Sequence, residues 1–384
     1  MMRRCFYSNL YAAEGHGKGK SGARLALAGC GMMAPNERKR TIMQFGIFDH
    51  LDNDHLPVGA FYEERLRLLE LYDRAGFYCW HVAEHHATAL GMAPSPNLFL
   101  AAASQRTKRL RFGPMVYALP LYHPLRLAEE IAMLDQLSGG RLDMGFGRGS
   151  SPVEIEYFGV PAQETEAIYR RNLPRVLEAL ATGRMHVPEL DPEYRDIDLR
   201  VLSLQKPHPP VWYGVHTEAS AERAARNGWT ILNLDVKADI QTCNRIFREV
   251  WAREQAGKPL PLMGLGRFVV VAETDDQALA IARRAYLRWH DGFTFLFRKL
   301  GRSMTHARPP TWDGLVEQGR GMAGAPETVR AYLSEELQAT GSNYCVLQPA
   351  FGDQTFTEVA ATIELFRAEI MPHLRTLATV PASA

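Results

Sequence analysis

His123–Ser151 reads HPLRLAEEIAMLDQLSGGRLDMGFGRGSS. Its first half spaces apolar residues as one face of a helix does, and two glycines then stop it. RLDMGFG follows as a short strand, and the strand runs into Gly147-Arg148-Gly149. Glycine lets a backbone approach a ligand closely, and an arginine there has the forked donors that clamp a phosphate. A tight turn with a surface arginine explains the same residues equally well.

The same unit recurs on both sides. MQFGIF (Met43–Phe48) is a strand, and YEERLRLLELYDRAG (Tyr62–Gly76) is a helix with a glycine stop. FYCWHVA, LRFGPMVYA, RLDMGFG, PVWYGV, WTILNL, LMGLGRFVVVA and NYCVLQP continue the strands, each followed by a helical pattern. Repeated βα units imply parallel strands with helices outside, and eight of them predict an α/β (β/α)8 TIM barrel with insertions. A doubly wound open sheet is the alternative, but no GxGxxG turn follows the first strand. Residues 184–210 and 291–325 break the rhythm and read as long insertions.

Composition narrows the class. With 384 residues, 46% hydrophobic and a formal net charge of +1, the chain has apolar matter for a large core and no charge excess for nucleic acid. No apolar run approaches the roughly 18 residues that span a bilayer, so no membrane role is expected. Five scattered cysteines without a CxxC pair favour a reducing cytoplasm over a disulfide framework or a zinc site. Residues 1–42 carry eight Lys or Arg against two Glu and no periodicity, so a disordered basic extension is expected there, or a true start at Met43. LALAGC (Leu25–Cys30) faintly resembles a lipoprotein cleavage site, but its apolar stretch is short of the roughly seven residues a signal needs. The barrel is expected to fill residues 43–376, with 377–384 as a tail.

In such a barrel the chemistry sits at the carboxyl ends of the strands. EHHATALG (Glu84–Gly91) follows the second strand, which brings His85 and His86 to that face. Adjacent residues of an extended segment point opposite ways, so the two imidazoles are not expected to share a metal ion. One of them suits acid–base work, and a hydrogen-bonded core histidine is the plainer reading. After the fifth strand, YGVHTEASAERAA (Tyr213–Ala225) places Thr217 and Ser220 where a helix begins. That is an anion site or an ordinary helix cap. The third strand, FGPMVYALPLYHPLR (Phe112–Arg126), offers an apolar shelf for a flat ring, or simply core.

Taken together, EHHATALG, the His123–Gly149 stretch, ASAERAARNG and the closing LFRAEIMPHL resemble the bacterial luciferase-like flavin monooxygenases. The likeness spans about Met43 to Leu374. It implies a barrel that binds reduced FMN, supplied by a separate flavin reductase, and that uses O2 on a small organic substrate, an aldehyde being the first candidate. By the same resemblance His85 is the catalytic histidine that helps form or stabilise the flavin hydroperoxide, with His86 beside it. Arg148 contacts the flavin phosphate, together with the hydroxyls of Thr217 and Ser220. His216 takes a place that is acidic in luciferase. Met115 and Val116 supply a non-prolyl cis peptide under the ring, Trp289 is an aromatic group near it, and residues 297–321 match the mobile loop. Gly147 stands where the luciferase catalytic subunit has a reactive cysteine. A homodimer through the helices after strands two and three is also implied. Two other functions compete: hydride transfer with a deazaflavin, and a non-catalytic partner subunit. The EHH triplet weighs against the first, and His85 with Arg148 against the second.

Overall fold

The computed structural model describes residues 43–53, 55–149, 151–304 and 307–377. The basic stretch 1–42 and residues 378–384 of the expected tail lie outside the described residues.

The described residues form twelve strands: β1 Gln44–Asp49, β2 Cys79–Val82, β3 Arg111–Pro114, β4 Tyr117–Ala118, β5 Met144–Gly147, β6 Arg184–His186, β7 Asp196–Asp198, β8 Val211–Gly214, β9 Thr230–Asn233, β10 Met263–Val271, β11 Gly321–Gly324 and β12 Tyr344–Gln348. Nine of them follow one another in the order β3-β2-β1-β12-β10-β9-β8-β5-β4, every pair parallel. β3 and β4 are two halves of one stave on either side of a cis Met115–Val116 peptide. β3 pairs with β2, and β4 with β5. Asp143 N–H to the Phe112 carbonyl (2.9 Å) and Phe112 N–H to the Arg141 carbonyl (3.1 Å) close the gap between β3 and β5. Counting that stave once, the ring has eight members, which is the (β/α)8 barrel expected from the alternation.

The strands form here because both of their faces are covered. All nine residues of β10 and all four of β2 are buried, as continuous β-branched and aromatic runs in a parallel sheet must be. Helices start and stop where the chain punctuates them. Proline opens Pro96–Arg106, Pro124–Ser138 and Pro326–Thr340, a position that wastes no hydrogen bond. Gly76, at φ 82°, ends Val58–Ala75 in the left-handed conformation.

The two insertions resolve differently. Residues 184–198 hold β6 and β7, an antiparallel ribbon outside the barrel. The second insertion begins later than its sequence suggests. The helix that starts at Asp275 does not stop near Trp289 but runs on to Lys299. Trp289, Phe293 and Leu296 keep its apolar stripe in register, and no proline interrupts them. A short helix, Trp312–Glu317, follows, and β11 then adds to the protruding end of β10, pairing Phe268 with Gly321. A satellite core of Phe268, Tyr286, Trp289, Trp312 and Phe351 fixes this segment on the carboxyl end of the barrel. Among the described residues, no helix is long and apolar enough to cross a membrane.

Candidate active site

A cavity of about 430 Å³ opens at the carboxyl ends of the strands. That size suits a small organic molecule or cofactor. Of the residues singled out in the sequence, His85, Met115, Val116, Gly147, Arg148 and His216 line it.

The Glu84-His85-His86 triplet divides its labour. Glu84 is a buried fastener. Its Oε2 accepts the Ala118 N–H (3.0 Å) and the Tyr122 hydroxyl (2.9 Å), and its Oε1 accepts His86 Nε2–H (3.0 Å). His86 thus turns away from the cavity and packs edge-on to Phe158. His85 turns into the cavity, nine-tenths buried. Its Nδ1–H donates to Glu154 Oε1 (3.1 Å), and the other oxygen of Glu154 takes the His86 backbone N–H (2.8 Å). A carboxylate only accepts, so this pairing places the ring proton on Nδ1 and leaves Nε2 as the basic nitrogen. Gly91 lets the following loop pass this close, because a Cβ there would fall 2.5 Å from that of His85.

The floor is the Met115–Val116 shelf, and no side chain fits beside it at position 147. A Cβ on Gly147 would meet Val116 Cγ2 at 2.4 Å. The valine fills the room that a cysteine at this position would need.

One end of the cavity is cationic. Arg148 donates to Glu166 (2.9 Å), and Arg223 donates to the Tyr213 hydroxyl (3.0 Å). The buried hydroxyl of Tyr169 lines the same end with no hydrogen-bond partner among the described residues. Thr217 and Ser220 lie just outside the lining. Their side chains form a capping box at the start of the helix Glu218–Asn227. The Ser220 hydroxyl also takes the backbone N–H groups of His216 (3.1 Å) and Thr217 (3.0 Å). His216 Nδ1–H donates to Asp235 (2.7 Å). Trp289 does not reach the cavity surface. It stands behind His50 and Phe293, stacking on Phe293 with ring centres 4.8 Å apart.

His50, Glu154, Tyr169, Arg223 and Arg308 also line the cavity and were not singled out in the sequence. His50 had a signal, since FGIFDH ends a strand on the functional face. Glu154 follows Ser151-Pro152, a helix entry just past the glycine turn. Tyr169, Arg223 and Arg308 sit in ordinary helical or loop contexts, and only the fold gathers them.

A parallel barrel with an imidazole, a carboxylate and two arginines converging at its carboxyl rim has the layout in which barrel enzymes place their sites. The chain belongs to the luciferase-like monooxygenase family, whose model matches residues 43–343. It is 37% identical over 330 residues to the uncharacterized protein y4wF of Sinorhizobium fredii, covering 86% of this chain and 96% of that one. It is 31% identical over 193 residues to the oxygenase component of a flavin-dependent trigonelline monooxygenase from Acinetobacter baylyi, covering 49% and 53%. The crystal structure of the monooxygenase RslO1 from Streptomyces bottropensis superposes with a TM-score of 0.76 at 28% identity, over 86% of this chain and 99% of that one. An F420-dependent secondary alcohol dehydrogenase shares the fold alone, at 18% identity and a TM-score of 0.61 over 87% of this chain and 99% of that one.

Proposed function

We propose that this chain is the oxygenase component of a two-component monooxygenase. It would take reduced FMN from a separate flavin reductase and use it with O2 to oxygenate a small organic substrate. The observation that carries this reading is one cavity holding two features at once: a cationic end of Arg148 and Arg223, and a buried His85 braced by Glu154. Family membership supports it.

The residues fit FMN. Tyr169 keeps a buried, unspent hydroxyl beside two arginines, as a phosphate site requires. Arg148, Arg223 and Tyr169 would hold the phosphate, with Thr217 and Ser220 at the adjacent helix start. The ring would lie on Met115 and Val116, where Gly147 leaves the surface flat. FMN, once bound, supplies the redox and oxygen chemistry. Trp289 would support the ring wall from behind. The chain would take up and return a proton at His85 Nε2 and exclude water with Phe293, Phe297 and Met304, which also line the cavity.

The test is a titration of the purified protein with FMN and with a deazaflavin, followed by fluorescence. Wild-type protein is expected to prefer FMN. Arg148→Ala is expected to weaken FMN binding about 10- to 100-fold, the usual loss for a charge-assisted contact. Tight deazaflavin binding without FMN binding would instead favour hydride transfer.

The protein is also proposed to form a homodimer. Leu98, Met133 and Leu137 stand exposed on the helices Pro96–Arg106 and Pro124–Ser138, the pair that the resemblance assigns to dimer contact. Light scattering at micromolar concentration is expected to give twice the chain mass, and a monomer mass would refute the dimer.

A further inference from the structure

Arg308 lines the cavity, and the carboxylate that acts on it, Asp235, does not pair with it directly. Among the described residues its guanidinium makes no hydrogen bond and no ion pair. Only its carbonyl is engaged, by His290 Nε2–H at 3.1 Å. Burial, and after it the neighbouring Arg320, push its pKa down to about 10, so it stays cationic at neutral pH.

The carboxylate that acts on it is already committed. Asp235 gives Oδ2 to His216 (2.7 Å) and Oδ1 to Arg320 (3.4 Å). Arg320 itself keeps Nε and Nη1 buried without a hydrogen-bond partner among the described residues. Arg267, also close by, is satisfied by Glu336. Arg308 is therefore left without a direct partner, and an anion held between it and Arg320 would meet guanidinium donors that the described residues leave unspent.

The strands nearest Arg308 also differ from the one that leads into Arg148. Arg308 acts on His50, just past β1, and on Asp235, just past β9. In the ring order, β12 and β10 lie between those two strands, and β12 stands opposite β5, whose end leads into Arg148.

We propose that Arg308, backed by Arg320, binds a carboxylate group of the organic substrate and orients the remainder toward His85. The proposal rests on the oxygenase reading and names its substrate class as small organic acids. The aldehyde expected from the resemblance has no use for this charge, whereas a guanidinium fork matches a carboxylate. Phe293 and Phe297, which line the same cavity, would cover an apolar remainder.

Calorimetry with benzoate and hexanoate, each against its amide, tests this on the full chain with and without FMN. At least one acid is expected to bind about tenfold or more tightly than its amide. Arg308→Gln should abolish that preference and Arg308→Lys retain part of it, with circular dichroism confirming that both fold. Arg148→Ala should keep the preference while losing FMN affinity. The proposal is overturned if neither acid outbinds its amide, or if the preference survives Arg308→Gln. It is equally overturned if Arg148→Ala removes the preference, or if inorganic phosphate competes at Arg308, since either would assign the anion to the cofactor. Failure of wild-type protein to bind FMN would sink the oxygenase reading separately.

Discussion

Replacing His85 with alanine is expected to leave FMN affinity within about threefold of wild type and to slow oxygenation by about 10²- to 10⁴-fold, the span of a lost acid–base group. The reasoning is geometric. His85 is nine-tenths buried, its Nδ1 is spoken for by Glu154, and its Nε2 is the nitrogen left to serve the cavity. The cationic end lies on other strands and loses nothing. Stopped-flow absorbance of the bound, reduced flavin mixed with oxygen, together with product analysis, reads both quantities. Glu154→Gln should fall between, because its amide oxygen can still accept from Nδ1 while its amide nitrogen cannot replace the second acceptor. An unchanged time course in the alanine variant would move proton handling to another group.

Glu336→Ala is expected to destabilise the fold by about 3–5 kcal/mol, the cost of stripping a buried cation of its partner. Glu336 reaches from the helix Pro326–Thr340 to Arg267 on β10, Oε2 to Nη2 at 2.7 Å, and both side chains are essentially inaccessible. Its other oxygen meets Lys237 Nζ at 2.9 Å. Urea unfolding measures the loss. Replacing both partners with apolar residues, Arg267→Met with Glu336→Leu, should recover most of it. A loss below about 1 kcal/mol in Glu336→Ala would mean that water reaches the guanidinium.

The barrel was legible because its signals are local. An apolar run, a glycine stop and a helical stripe each lie within a dozen residues or so, and Gly76 ends its helix where the pattern stops. β11 was not legible. GMAG has no strand character, and only the protruding end of β10 makes it a strand. The stave broken at Met115–Val116 reads in sequence as one strand, since nothing local marks the break. In the site, residues at strand ends could be read from topology. Glu154 could not, because it meets His85 across 69 positions of chain. Thr217 and Ser220 show the limit of a local motif. The same hydroxyls cap a helix and suit an anion, and here they are engaged in the cap.

The aromatic wall behind the cavity has one more effect. Trp289 Nε1–H donates to His50 Nδ1 (3.4 Å), so that nitrogen is an acceptor and the ring proton of His50 sits on Nε2. Burial, then His85 and Arg308, hold its pKa well below the ordinary histidine value, so the ring stays neutral into the acid range. The rings of His50 and His85 lie stacked with centres 5.9 Å apart and carry opposite tautomers. One presents a fixed donor and the other a fixed lone pair. A molecule between them and the shelf would meet two imidazoles that are not interchangeable, and its polar atoms would have only one way round to sit.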